Sequence, residues 1–142
     1  MNEVLQFIAT LTCGIFTGAA LYITLVEHPA RMNCGTYGAV CQFGFSYNRA
    51  KVMQASLAVI GFVASAFAWW LGAGYGWLIG GIMLVSVVPF TFIAILPTNR
   101  KLLDPGLDRD SQPAHELMVK WDRLHAVRGL ASLVAFVIFL WL

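Results

Sequence analysis

The chain has 142 residues, 59% of them hydrophobic and only 11% charged, with a mean hydropathy of +0.74, whereas an ordinary soluble domain carries about 25% charged residues. A water-soluble domain cannot cover its surface with so few charges. The net charge of +2 is small and dispersed, with no basic run interleaved with aromatics, so no nucleic acid partner is expected.

The first predicted element is an apolar helix over residues 4–26, which holds no Asp, Glu, Lys or Arg and meets the length of about 20 residues that a transmembrane helix needs. Glu3 stands where a cleavable signal carries a basic residue, so this helix is expected to remain in the mature protein. Thr10, Gly14, Thr17, Leu21, Thr24 and His28 share one face, and Gly14 with Gly18 is a small-xxx-small pair suited to close helix packing. Residues 27–51 are too polar to span and too long for a tight turn. With Tyr37, Val40, Phe43, Phe45 and Tyr47 they predict an interfacial helix or an extension of the second span.

Spans two and three are predicted at 52–71 and 77–96, joined by a turn over Gly72-Ala73-Gly74-Tyr75-Gly76. Gly61 with Ser65, and Gly76, Gly80 and Gly81, offer close packing between them. Pro89 is expected to kink the third helix and make room for a cavity. Pro97 predicts a broken helix end that exposes carbonyls and the Asn99 amide. Asp104-Pro105-Gly106 reads as a turn. Ser111 before Pro113 marks the start of a last helix of about 45 Å, whose residues 123–142 form the fourth span. Alternation of apolar and polar residues, the mark of strands, is absent. The expected fold is all-α: one domain, a four-transmembrane-helix bundle running up-down-up-down.

Lys and Arg crowd one end of this bundle. Arg31, Arg49 and Lys51 follow span one, and Arg100, Lys101, Arg109, Lys120 and Arg123 follow span three, while the opposite end has none. Basic short loops mark the cytoplasmic side, so a multi-pass integral membrane protein with both termini outside the cytoplasm is expected, in the inner or plasma membrane if the source is bacterial. Trp69, Trp70, Trp77 and Trp141 read as an outer aromatic belt. Cys13, Cys34 and Cys41 read as free thiols, because Cys34 and Cys41 sit about 10 Å apart on a helix.

Counting back from Leu142 puts His125 and Arg128 within the hydrocarbon edge, where an Arg is costly, reaching about 2.5–3.5 kcal/mol at the centre of a span on insertion scales, and turns toward a partner or a wet cavity. Trp121, His125, Arg128, Ser132 and Ala135 form one stripe. This stripe is expected to face that of the first helix across a shared cavity, with His28, Asn99, His125 and Arg128 in one layer and Met53 and Gln54 nearby. Two histidines in a bundle also admit haem or metal ligation through His28 and His125, although no His-x-x-His or Glu-x-x-His pair is present in the core. His115, among Glu116, Lys120 and Asp122, reads as solvated.

Three runs occur in order: Gly18-Ala19-Ala20-Leu21 leading to Glu27-His28-Pro29-Ala30-Arg31, then Pro97-Thr98-Asn99-Arg100-Lys101-Leu102, then Trp121-Asp122-Arg123-Leu124-His125-Ala126-Val127-Arg128. Together they resemble the DUF1772, or anthrone oxygenase-like, family of four-span membrane proteins, some fungal members of which are linked to oxidation of anthrones to anthraquinones without an evident cofactor. The resemblance implies a membrane-embedded, cofactor-independent oxygenase acting on an apolar, phenolic, anthrone-like small molecule. His125 or His28 is then the general base, Arg128 and Asn99 stabilise the developing oxyanion, and Trp121, Tyr47 and Gln54 hold the ring. Membrane lipid and an apolar small molecule are the expected partners, with a homo-oligomer or a larger membrane complex as further expectations. The rival readings are a non-catalytic membrane subunit or quinone- or lipid-binding module, and a redox protein holding haem or metal on His28 and His125.

Overall fold

The computed structural model describes residues 1–142, all helix and connecting turn, without strands. Four helices are each long and apolar enough to cross a membrane: α1 (Asn2–Asn33), α2 (Thr36–Ala73), α3 (Tyr75–Leu102) and α4 (Gln112–Trp141). Each packs on its neighbour in the chain and α4 closes against α1, with sparse diagonal contacts, so the bundle runs up-down-up-down. The polar segment after the first span resolves as an extension of the second. Only Cys34 and Gly35, with φ of 85°, separate α1 from α2.

Local chemistry sets the other connections. Gly72 and Gly74 take φ of 91° and 102° between α2 and α3, a region glycine enters without steric cost. Asp104 Oδ1 accepts from the Gly106 N–H at 2.9 Å, and Ser111 Oγ accepts from the Ala114 N–H at 3.2 Å to cap α4.

Pro97 does not break its helix, contrary to the expectation from sequence. The residue before each of Pro29 and Pro97 bonds five positions back, His28 N–H to Ile23 O and Leu96 N–H to Thr91 O. Single π turns over Ile23–Glu27 and Thr91–Ile95 thus carry both helices past a residue that lacks a donor. Asn99 is consequently buried inside a continuous α3, at 1% exposure.

Two apolar clusters hold the bundle. One, toward the end bearing the Gly72–Gly74 turn, includes Cys13, Phe16, Leu84 and Phe139. The other, at the cation-bearing end, includes Ile23, Phe43, Ile95, Met118 and Trp121. Helices approach closely at small residues: a Cβ on Gly61 would lie 2.6 Å from Leu84 Cδ2 and 2.8 Å from Thr12 Oγ1, and Gly81 packs directly on Ser65. Gly14 lies under Phe136, but Gly18 has nothing within 4 Å and takes no part in packing, so that predicted pair is half right. Trp77 is also no belt residue. It is 5% exposed and stacks on Phe139 with ring centroids 5.2 Å apart.

Candidate functional site

Between the two clusters all four helices enclose a cavity of about 370 Å³, within the range of about 300–1,000 Å³ usual for small-molecule sites. Its wall is mostly apolar; of the predicted stripes, that of α4 supplies Trp121, His125 and Arg128 to it, and that of α1 supplies none. His125, 2% exposed, places Nδ1 3.0 Å from Thr24 Oγ1 of α1. Cys13 Sγ lies 3.7 Å from Ser132 O further along the same seam. The α1 and α4 stripes therefore do face each other.

Arg128 turns inward. Its Nη1 donates to Thr91 Oγ1 at 3.4 Å, and its guanidinium carbon sits 5.4 Å from the Phe16 ring centroid. Thr91 opens the π turn of α3, and its own N–H still bonds four positions back to Val87 O. An aromatic group covers the cation-bearing end: Trp121 stacks with His125 at 4.7 Å and meets Phe43 edge-on at 5.2 Å, while Tyr47 stacks on Phe43 at 5.6 Å.

Asn99, His125, Arg128, Trp121, Tyr47 and Gln54 all stand on the cavity wall, and His28 does not. His28 is buried and stacks on Trp121 with centroids 5.7 Å apart. A haem or metal within this cavity would therefore meet one histidine, not two. No group of three or more His, Cys, Asp or Glu side chains converges anywhere in the chain.

Arg31 is a wall residue that sequence reasoning placed only among the loop cations. It is 5% exposed, pairs with Glu27 and lies 5.8 Å over the Trp121 ring. The available signal was the Glu27/Arg31 spacing, an i,i+4 pair in the orientation that helices favour. His115, expected in solvent, is half-buried and contacts Thr36 Oγ1 at 3.4 Å.

Several wall groups lack partners. Arg31 Nε, Gln54 Nε2, Asn99 Oδ1, Trp121 Nε1 and Arg128 Nε are buried without a hydrogen bond, whereas most buried polar atoms in folded proteins have one. On one side the wall reaches the surface between α2 and α3, where Val52 and Phe92 are 63% and 64% exposed and Ala55 is exposed beside them. Lys51 stands at this mouth, 5.2 Å over the Tyr47 ring.

Fold and cavity together define a helical-bundle protein with an internal space of small-molecule size, lined by one histidine and two inward-turned arginines. The sequence profile of the anthrone oxygenase family matches residues 43–138, and the chain belongs to that family. It is 29% identical to an anthrone oxygenase of Aspergillus fumigatus, over 94% of this chain and 89% of the relative. An anthrone oxygenase of Claviceps purpurea is 24% identical over 89% and 81% of the two chains. A noranthrone monooxygenase of Aspergillus flavus is 25% identical over 90% and 68%. No solved structure matches the chain.

Proposed function

We propose that this protein is a membrane-embedded oxygenase that needs no cofactor and oxidises a flat, apolar, anthrone-like phenol drawn from the bilayer. The observation that carries this reading is the cavity in which His125, Asn99 and Arg128 meet beneath an aromatic roof. Membrane embedding is supported by the outer surface, where side chains such as Leu25, Trp70 and Ile93 are largely exposed along helices of spanning length. A soluble monomer rarely shows apolar surface on that scale. The cation-rich end then faces the cytoplasm.

An anthrone methylene between two aryl groups, activated by the ring carbonyl, is acidic. In the tautomer whose Nδ1–H donates to Thr24 Oγ1, His125 has Nε2 free as the base that removes this proton. The electron pair left behind delocalises onto the carbonyl oxygen, where Arg128 and Asn99 supply preorganised donors. The carbanion passes an electron to O₂, the two radicals combine at carbon, and the hydroperoxide loses water to give the quinone carbonyl. The balance is one methylene and one O₂ in, one carbonyl and one water out. The substrate supplies all four electrons.

The test is oxygen uptake by purified, metal-analysed protein with an anthrone in detergent micelles. Stoichiometric uptake that is abolished in His125→Ala supports the reading. An inert protein, or a His125→Ala variant as fast as the parent, removes it.

A further inference from the structure

The cavity wall carries three cations, Arg31, Lys51 and Arg128, and no carboxylate. Two acids stand behind the wall: Asp122 of α4 acts on Arg31 through space, and Glu27 pairs with it directly, its Oε1 accepting from Arg31, from Gln42 Nε2 at 2.9 Å and from Ser46 Oγ at 2.8 Å. Three donors on one oxygen fix the carboxylate behind the wall, and the carboxylate in turn fixes Arg31, whose Nε has no partner. Of the five unpartnered atoms that belong to wall residues, four are N–H donors, on Arg31, Gln54, Trp121 and Arg128, and one is an acceptor, Asn99 Oδ1. Each unmet buried donor costs about 1–3 kcal/mol. These atoms are sealed off from the cavity itself, so what a ligand meets is the charge of the wall, three cations without a carboxylate, which an anion balances and a hydrocarbon or neutral phenol does not.

We infer that the site holds its ligand as a planar aromatic oxyanion, the enolate that proton removal produces or the phenolate of a product-like ligand, and that Arg31, positioned by Glu27, is a second anion-binding residue beside Arg128. The inference rests on the reading of this cavity as the substrate site and adds the ionisation state of the ligand. It also gives Glu27 and Arg31 a joint role: the carboxylate holds the guanidinium against the Trp121 ring, and the guanidinium faces the ligand's oxygens. Stabilising the oxyanion as it forms lowers the cost of the proton removal that begins the reaction, and the same positive field receives the superoxide that follows.

A product-like ligand separates binding from turnover. An anthraquinone with hydroxyls at both peri positions changes colour when it ionises, so its protonation state in the protein is read directly from visible absorption. Titrated into the full chain in detergent micelles, the bound dye is expected to ionise at least about one pH unit below the dye in empty micelles, as an opposite charge within a few ångströms dictates. Arg31→Gln is expected to lose most of that shift and to weaken binding about tenfold. Should Glu27, left unpaired, unfold that variant, the double variant Glu27→Gln with Arg31→Met removes both charges together and is read in the same way. His125→Ala is expected to keep the shift while losing oxygen uptake. A bound dye that ionises no earlier than in empty micelles, or a shift equally large without Arg31, overturns the inference. A protein that binds the dye anion through Arg31 but consumes no oxygen sustains it and defeats the oxygenase reading instead.

Discussion

Replacing Arg128 with Met is expected to raise stability and remove activity together. The guanidinium is held by one long hydrogen bond, 3.4 Å to Thr91 Oγ1, and by the Phe16 ring, while its Nε is buried and unpaired. A hydrogen bond of that kind contributes at most about 1 kcal/mol, against an insertion cost that reaches about 2.5–3.5 kcal/mol for an Arg at the centre of a span and is smaller near its edge. Methionine fills similar volume without a charge, and exchanges of buried ions for apolar side chains commonly stabilise by about 1–4 kcal/mol. The difference here points to a gain of about 1–2 kcal/mol, seen as a Tm several degrees higher in micelles by circular dichroism. Activity moves the other way: loss of one oxyanion donor lowers the rate about 10²–10³-fold. Arg128→Lys, which keeps the charge but not the planar fork, should fall between. A Tm that drops in Arg128→Met would show that the guanidinium is a structural tie, and oxygen uptake within a few-fold of the parent would refute its role at the oxyanion.

Three further outcomes follow from the geometry. Thr24→Val removes the group that orients His125; the rate should fall about tenfold, one net hydrogen bond's worth, with substrate KM nearly unchanged, and a KM effect alone would contradict the assignment. Gly61→Val forces a side chain against Leu84 and Thr12, whereas Gly18 faces open space; the first should cost about 1–3 kcal/mol and Gly18→Val less than about 0.5 kcal/mol, both read as shifts of thermal unfolding. Ala55→Trp narrows the mouth between α2 and α3; KM for an anthrone should rise more than about tenfold with kcat retained, as expected when an obstacle acts on access and not on the bound complex.

Composition and the spacing of charges were enough to find the four helices, their order and the cation-rich end, because an apolar run of about 20 residues without a charge is the length that crosses hydrocarbon and is rare in a water-soluble fold. The α4 stripe was equally legible: from Ser111 to Trp141 the helix is uninterrupted, so a regular period placed Trp121, His125 and Arg128 on one line. The α1 stripe meets α4 through Thr24 and His125, but none of its members lines the cavity, to which α1 contributes Phe16, Ile23 and Arg31 instead. The π turn at Ile23–Glu27 inserts one extra residue, which rotates everything after it by about 100°. Past it, Arg31 reaches the cavity wall eight residues after Ile23, one more than two regular turns would take. Nothing in the residue types of Ile23–Glu27 announces a wide turn except the proline two positions beyond it. The same device past Pro97 kept α3 whole where a break was expected. Trp77 was misplaced for a different reason: aromatic belts and aromatic cores share composition, and only the neighbouring Phe139 decides between them.

Isotopic labelling bears most directly on an oxygenase that uses only the substrate's electrons. Purified protein, dialysed against chelator and given an anthrone under ¹⁸O₂, should place one heavy oxygen at the former methylene carbon of each quinone formed. One O₂ should be consumed per turnover, at a rate independent of added metal or haem. Oxygen drawn from water, or a rate that follows the metal or haem content of the sample, would contradict the account.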